Sequence, residues 1–309
     1  MNDFKYQNIE LDWGIDELIT KLHDLRDQSL EADHQRHQKL PSSKELQNII
    51  DGVGAVLFPH RLGPPDLNNQ GVDHFVGHEL NAILLELYKQ VRCELEFVSE
   101  HLTDKEAHQQ AFAITREFAT RLPDVRVMLN SDIKAAYEGD PAARDAYELL
   151  VCYPGIKAVI HYRLAHILHQ LGLPLVARII SDIAHSATGI DIHPGAQIDE
   201  RFFVDHGTGV VIGETAIIGK NVRVYQAVTL GAKSFQKDDN GIIVKGQARH
   251  PIIEDDVVIY AGATVLGRIT IGKGSSIGGN VWLTHGVPPG SNITQAKARN
   301  ELFSGGTGI

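Results

Sequence analysis

The chain has 309 residues, of which 43% are hydrophobic and 22% charged, values ordinary for a globular protein of roughly two domains. Its formal net charge of −10 argues against a nucleic acid or an anionic membrane as partner of the whole chain. There are two cysteines, no signal-peptide pattern at the start, and no apolar run near the ~20 residues that span a bilayer. We therefore expect a soluble cytoplasmic protein.

The first part of the chain, residues 1–188, is predicted to be an α-helical domain. Ser42 stands before a helix start, and Pro174 marks the first turn of another helix. The segment 58–66 is predicted to be a loop because its adjacent prolines stop a helix. Asp140, followed by proline, is expected near the N-terminus of a further helix.

Two histidines in this part, His74 and His78, would share one face of a helix. The surrounding letters HFVGHE lack the HExxH order of a zinc protease. The two histidines are therefore interpreted as surface or packing residues.

From residue 189 the pattern changes to a period of six, and residues 189–293 are predicted to be one domain. A period of six fits neither an α-helix nor an alternating strand. Sustained over a dozen units, it predicts a parallel β-helix, in which each hexad forms one short flat side and one aliphatic residue points inward. The aliphatic positions are Ile192, Ile198, Val204, Ile212, Ile218, Val224, Leu230, Ile253, Ile259, Val265, Ile271, Ile277 and Leu283.

Two steps in the hexad series are longer than six. Between Val204 and Ile212 the step is eight residues, which predicts two extra residues. Between Leu230 and Ile253 it is 23, which predicts a projecting loop of about 17 extra residues. After the last hexads, residues 294–309 are expected to form a flexible tail.

Polar clusters interrupt the hexads, and two of their members could work together. Asp191 and His206 are 15 residues apart, and a coil of three hexads takes about 18. The spacing thus allows a carboxylate and an imidazole to meet on neighbouring coils. A carboxylate beside an imidazole fixes its tautomer and stabilises its protonated form, which suits a general base. Spacing alone is equally compatible with exposed turn histidines.

The strings TGIDIHPGA, DHGTGVVIGETA, VTLGAKSF and RHP closely resemble those of the serine O-acetyltransferase family. The resemblance runs from about residue 140 to 289, and the extended N-terminus and long loop resemble the longer form of that family. It implies a helical N-terminal domain followed by a left-handed parallel β-helix, a handedness opposite to the usual crossover rule. It also implies acetyl transfer from acetyl-CoA to the hydroxyl of L-serine, the first step of cysteine biosynthesis from serine.

The resemblance assigns roles to individual residues. His206 would be the general base, and Asp191 would orient and charge-stabilise it. Arg249 would hold the substrate carboxylate, because a guanidinium can donate two parallel hydrogen bonds. The remaining substrate-binding residues are implied to be Asp140 and Asp205, around the substrate amino group, and His250.

Acetyl-CoA is expected as co-substrate, with no metal. Backbone N–H groups near Gly231 and Ala232 could meet the developing oxyanion. Neither cysteine lies in the hexads, which favours direct transfer over an acyl-enzyme. Small-residue edges and one lysine are further candidate acetyl-CoA contacts: Ala261, Gly262, Ala263, Gly278 and Lys273.

The resemblance also implies partners. It predicts a homotrimer, or a dimer of trimers, with active sites between subunits, and L-cysteine as a possible feedback inhibitor. The C-terminal residue, Ile309, is expected to bind O-acetylserine sulfhydrylase, and a flexible tail with a terminal carboxylate suits such peptide capture.

Three other functions remain open at this point. The chain could acylate a sugar or a xenobiotic, although the RHP string favours an amino acid. It could be a metal-dependent hydratase like the γ-type carbonic anhydrases, although the hexads lack that family's His-x4-His pair. It could be a non-catalytic scaffold, but a scaffold would not explain why Asp191, His206 and Arg249 interrupt the hexads.

Overall fold

The computed structural model describes residues 13–27, 39–99, 101–235 and 237–295. They fall into two compact units, the first ending at Lys39 and the second beginning at Leu40. The first unit contains α1 (Ile15–Asp27). The helices of the second unit are α2 (Ser43–Leu57), α3 (Pro59–Leu62), α4 (Val72–Val98), α5 (Asp104–Gly139), α6 (Ala146–Cys152), α7 (Pro154–Gln170) and α8 (Pro174–Thr188).

Local sequence signals explain where several helices begin and end. The Ser42 side chain accepts a hydrogen bond from the backbone N–H of Glu45, so the predicted start of α2 is confirmed. Pro174 opens α8 as predicted, and the helix ends at Gly189, whose φ of 69° is a left-handed conformation that glycine adopts without strain. No helix in the described ranges is both long and apolar enough to cross a bilayer.

One prediction about the helical region was wrong in part and another was wrong. In the segment 58–66, residues 59–62 form the short helix α3, because Pro59 stands in its first turn, where proline is tolerated. Residues 63–66, which contain the two adjacent prolines, are a loop as predicted. Asp140 ends α5 instead of starting a helix, and α6 begins after Asp145, whose side chain accepts from two backbone N–H groups. A proline directly after an aspartate fits a helix end as well as a helix start.

The hexads form a parallel β-helix of three sheets, which confirms the predicted fold class. Sheet A contains β1, β4, β7, β10 and β13, sheet B contains β2, β5, β8 and β11, and sheet C contains β3, β6, β9, β12 and β14. All thirteen predicted inward residues are buried. The strands are β1 Asp191–Ile192, β2 Gln197–Ile198, β3 Phe203–Val204, β4 Val211–Ile212, β5 Ile217–Ile218, β6 Arg223–Val224, β7 Thr229–Gly231, β8 Ile252–Ile253, β9 Val258–Ile259, β10 Thr264–Leu266, β11 Thr270–Ile271, β12 Ser276–Ile277, β13 Trp282–Leu283 and β14 Asn292–Ile293.

The two long steps leave the strand register intact. Ile212 pairs with Leu230, 18 residues further on, which is one coil of three hexads. Leu230 pairs with Val265 in the same sheet although 35 residues separate them, so the predicted 17-residue insertion is a loop outside the coil. The two extra residues before Ile212 widen the turn between β3 and β4. Both predicted irregularities are confirmed.

Buried side chains join the helices of the second unit to the first coil of the β-helix. Arg163 of α7 forms a buried ion pair with Asp132 of α5 (Nη2 to Oδ1, 3.1 Å) and donates to the backbone carbonyls of Ile198 and Asp199. Tyr162 donates to the carbonyl of Ala196 at 2.7 Å. The helices therefore hold the first coil, which carries Asp191, Asp205 and His206.

Candidate active site

Sheet A has two edges, and the candidate residues are divided between them. We call the turns from sheet C into sheet A the C–A edge, and the turns from sheet A into sheet B the A–B edge. Asp205 and His206 follow β3 on the C–A edge. Thr215 follows β4 on the A–B edge, where His250 precedes β8. Asp191 stands on the outer face of sheet A between the edges, in register with Val211.

His206 is held in an exposed position by the widened turn. Its backbone has a φ of 57°, in the left-handed region that non-glycine residues seldom adopt, and its side chain is 73% exposed. The nearest carboxylate is that of Asp205, with Nε2 and Oδ1 3.9 Å apart. The imidazole is thus open to a substrate on this edge.

Asp205 and Asp140 flank His206, and each has its own partner. Asp205 is 5% exposed and forms an ion pair with Arg223 (Nη2 to Oδ2, 2.5 Å). Arg223 also donates to the carbonyl of Gly139 at the end of α5, at 2.7 Å. This brings the end of α5, and with it Asp140, beside the C–A edge.

The Asp140 carboxylate is kept ionised by its hydrogen bonds. It accepts from the Tyr153 hydroxyl at 2.7 Å and from the backbone N–H of Ala142 at 2.8 Å. These bonds lower the pKa of Asp140, the Tyr153 bond having the largest effect. The same bond raises the pKa of Tyr153 to about 12. Two carboxylates beside an exposed imidazole make this edge suited to binding a substrate ammonium group.

The predicted contact between Asp191 and His206 is not formed. Within the described ranges, the Asp191 carboxylate has no hydrogen-bond or ion-pair partner, although its backbone N–H donates to the carbonyl of Val210 at 2.9 Å. The physical reason is the widened turn, which carries His206 in a left-handed conformation with its side chain outward. Both residues nevertheless belong to the same end of sheet A.

On the A–B edge, Arg249 and His250 are fixed by residues that follow β4. Arg249 Nη2 donates to Glu214 Oε2 at 2.8 Å. The Thr215 hydroxyl oxygen accepts from the backbone N–H groups of Arg249 (2.9 Å) and His250 (3.1 Å). Its own proton is then available for the third neighbour, Nδ1 of His250, at 2.9 Å.

These contacts determine the tautomer of His250. Its Nδ1 also accepts from the backbone N–H of Thr215 at 3.0 Å, so two donors face this nitrogen and it carries no proton. The ring proton must therefore be on Nε2, which makes neutral His250 a hydrogen-bond donor. Burial lowers the pKa of His250 to about 4, in agreement with a neutral ring. Burial also lowers the pKa of His193, on the same edge, to about 4.

Packing fixes the plane of the His250 ring as well. The ring lies against Gly213, where an added Cβ would come within 2.1 Å of both Cδ2 and Nε2. A side chain at position 213 would therefore displace the imidazole.

The predicted acetyl-CoA residues fall on three edges. Gly231 and Ala232 are on the A–B edge, at the end of β7. The Ala232 N–H has no hydrogen-bond partner among the described residues, so it is free to donate. Ala261, Gly262, Ala263 and Gly278 lie on the C–A edge, after β9 and β12.

Lys273 is not brought to the other candidates. It lies on the turn from sheet B into sheet C, with Nζ 3.4 Å from Asp255 and 3.5 Å from Asp256. In the described part of the chain, no group of three or more His, Cys, Asp or Glu residues is placed to hold a metal ion.

Sequence reasoning missed four residues that shape the site: Glu214, Thr215, Tyr153 and Arg223. The first two belong to a string quoted above for its resemblance, GETA, but no spacing rule links them to residues 249 and 250 across a loop. Tyr153 and Arg223 carry no motif signal, because their partners are set by how α5 meets the β-helix.

Stacked hexad coils with polar clusters on two edges fit the class of the hexapeptide-repeat transferases. Residues 250–285 match the family model described as bacterial transferase hexapeptide (six repeats). Over 308 residues the chain is 52% identical to the plasmid serine acetyltransferase of Synechococcus elongatus, covering 97% of each chain. The chain therefore belongs to the serine acetyltransferase family, and with it to the acyltransferases, as the quoted strings predicted.

Solved structures agree with this relationship. Serine acetyltransferase isoform 3 of Entamoeba histolytica, in complex with cysteine, is 33% identical with a TM-score of 0.71, covering 94% of this chain and 96% of that one. The serine acetyltransferase of Brucella abortus, in complex with coenzyme A, is 26% identical with a TM-score of 0.54, covering 82% and 94%. The predicted helical domain followed by a left-handed β-helix is the fold of this chain.

Proposed function

We propose that this chain transfers the acetyl group of acetyl-CoA to the hydroxyl of L-serine, giving O-acetyl-L-serine and CoA. The observation that carries the proposal is the pairing of complementary charges on the two edges of sheet A. One edge offers two carboxylates beside an exposed imidazole, and the other offers a guanidinium beside a fixed imidazole donor. An amino acid with a hydroxyl group has the matching ammonium, carboxylate and proton.

The two edges belong to opposite sides of sheet A, so one chain alone leaves the site divided. If sheet A faces a threefold axis, the C–A edge of each chain meets the A–B edge of the next. His206 of one subunit would then lie opposite Arg249 and His250 of its neighbour. This closed arrangement supports the homotrimer, and two trimers joined through helical domains would extend it.

In the proposed complex each charged group has one task. Asp140 and Asp205 bind the serine ammonium, and Arg249 binds the serine carboxylate with guanidinium N–H groups that Glu214 leaves available. The Nε2–H of His250 is a second donor toward the bound serine. The hydroxyl is thereby placed beside His206.

The reaction then needs one proton acceptor and one oxyanion donor. His206 takes the hydroxyl proton as the serine oxygen attacks the thioester carbonyl, and the Ala232 N–H donates to the oxygen of the tetrahedral intermediate. Collapse of the intermediate breaks the C–S bond, and protonated His206 returns its proton to the CoA sulfur. Both cysteines lie in helices, Cys93 in α4 and Cys152 in α6, which supports direct transfer.

Asp191 is proposed to orient the His206 imidazole when substrate is bound. The exposed imidazole has no hydrogen bond to hold it among the described residues, so rotation of its side chain is not opposed. An Asp191→Asn variant with unchanged turnover would remove Asp191 from this role.

Acetyl-CoA is proposed to lie along the groove between the two edges. Gly231 and Ala232 on one side, and the small-residue run Ala261–Ala263 with Gly278 on the other, allow a pantetheine arm close to the backbone. The Brucella abortus structure with coenzyme A supports this co-substrate.

A mixing experiment tests both the activity and the shared site. His206→Ala and Arg249→Ala chains are co-expressed with different tags, and acetyl-CoA consumption with L-serine is measured on mixed oligomers. Each variant alone is expected to be nearly inactive. A trimer that contains both variants has one of its three intersubunit sites with His206 and Arg249 both intact. About three quarters of randomly assembled 1:1 trimers contain both variants, so mixing should restore about a quarter of normal activity. Mixed oligomers without activity would contradict a site shared between subunits.

Regulation and partners follow from the same family relationship. L-cysteine is proposed to inhibit by occupying the serine site, since the Entamoeba histolytica relative is in complex with cysteine. Binding of O-acetylserine sulfhydrylase through Ile309 stays a prediction, because that residue lies outside the described ranges. The low cysteine content, two residues in the whole sequence, supports a reducing compartment, the cytoplasm.

A further inference from the structure

A cavity of about 620 Å³ lies in the helical region, between α3 with the loop that follows it, the C-terminal half of α5, and α6. Its size is in the range of small-ligand sites. Two arginines line it, Arg61 of α3 and Arg126 of α5, together with His60, and none of its lining residues is an aspartate or glutamate. In a chain with a net charge of −10, this is a local concentration of positive charge.

Both guanidinium groups are held in place by aromatic rings. The Arg61 guanidinium carbon is 3.7 Å from the centre of the Tyr147 ring, and that of Arg126 is 3.9 Å from the centre of the Phe58 ring. Stacking of this kind fixes the plane of a guanidinium and leaves its N–H edge uncovered. The positive charges are thus positioned before any ligand arrives.

Few of the N–H groups of these arginines are used. Arg61 donates to the carbonyl of His60 at 3.1 Å, and Arg126 donates to the side-chain oxygen of Asn130 at 3.1 Å. Neither forms an ion pair with a carboxylate of the described chain, whereas Arg163, Arg223 and Arg249 each do. Partial burial without a carboxylate lowers the pKa of Arg126, a sign that its charge is not compensated.

We propose that this cavity is a binding site for a small organic phosphate monoester. The two planar guanidinium groups suit a phosphate group, because its oxygens can accept several charge-assisted hydrogen bonds from their N–H groups. The cavity is much larger than one oxyanion, and apolar side chains such as Leu150 line part of it, so the ligand carries an organic group. The site is separate from the two edges of sheet A, and the proposal does not depend on the acetyl transfer.

The test measures binding of phenyl phosphate and of inorganic phosphate to the full chain by calorimetry, at constant ionic strength because salt screens such contacts. Phenyl phosphate is expected to bind at least about tenfold more tightly than inorganic phosphate. Arg126→Gln and Arg61→Gln should each weaken phenyl phosphate binding about tenfold, the loss of roughly one charge-assisted contact. Arg116→Gln, which removes an exposed charge from another part of α5, is the matched control and should bind normally.

Three results would overturn the proposal. They are the absence of phenyl phosphate binding to the unaltered chain, binding that survives in the Arg61→Gln/Arg126→Gln double variant, and equal affinity for inorganic phosphate, which would make the free ion the ligand. The acetyltransferase rate of each variant shows that it is folded, because these arginines do not touch the proposed active site.

Discussion

Each of the two edges of sheet A carries a histidine, and the two histidines differ in exposure and in hydrogen bonding. His206 on the C–A edge is 73% exposed, in a left-handed turn, with no hydrogen bond to its ring among the described residues. His250 on the A–B edge is 6% exposed, and its Nδ1 accepts hydrogen bonds from the backbone N–H and the hydroxyl of Thr215. An exposed imidazole can accept and release a proton, whereas a fixed neutral one can only donate a hydrogen bond. The comparison teaches that environment, not residue type, separates the proposed general base from the proposed binding group.

The largest expected effect is loss of the exposed imidazole. His206→Ala should lower turnover by about 10²–10⁴-fold, the usual contribution of a positioned general base, roughly 3–5 kcal/mol of barrier. Acetyl-CoA consumption with L-serine measures it. Since the side chain is largely exposed, the melting temperature should be unchanged. His285→Ala, an exposed histidine elsewhere on the β-helix, is the control, and equal rates in the two variants would contradict the assignment.

A second expected effect concerns stability below neutral pH. The pKa of His250 is about 4 in the folded chain and near 6.5 in an unfolded one, so between these values only the unfolded chain takes up the proton. The free energy of unfolding should therefore fall as pH drops from 6.5 to 4, on the order of 2 kcal/mol for this group, with no contribution above 6.5.

Urea unfolding at a series of pH values measures this slope. His250→Asn, which cannot titrate but keeps an acceptor for Thr215, should have a shallower slope, while His193 continues to contribute in the same window. If the free energy of unfolding of His250→Asn depended on pH as steeply as that of the unaltered chain, protonation of His250 would not be the source of the dependence.

The smallest expected effect comes from loosening the fixed ring. Thr215→Val removes the hydroxyl that donates to Nδ1 of His250 and accepts from two backbone N–H groups, so kcat/KM should fall about tenfold. With fewer donors on Nδ1, protonation becomes easier, and the acid limb of the pH–rate profile should move to higher pH. Thr215→Ser keeps the hydroxyl and should restore both values. A serine variant as impaired as the valine variant would assign Thr215 a packing role only.

The hexad period was sufficient to predict the β-helix, because each aliphatic residue reports one inward position. It also located both insertions, because each one appears as a longer interval between inward aliphatic residues, after which the interval of six resumes. Helix starts with a side-chain cap were predictable, as at Ser42. Asp140 was misplaced because aspartate followed by proline can end a helix or begin one.

The site was predictable only in part. The motif strings named His206, Arg249 and His250, but no spacing rule states on which edge each one falls. The contact between Asp191 and His206 was inferred from coil length, and the two extra residues in the turn change the backbone conformation on which it depended. Thr215 could not be found, because its partners are reached only after a long loop closes back onto the coil.

The pairing of Leu230 with Val265 continues as though the loop between them were absent. The tip of that loop, where Asp238 accepts from the N–H groups of Asn240 and Ile242, lies outside the stacked coils. A foreign peptide or a fluorescent label could therefore be grafted at this tip with the strand ladders left undisturbed. The enzyme would thereby gain an optical reporter on a projecting arm, a few residues from the arginine that is proposed to bind its substrate.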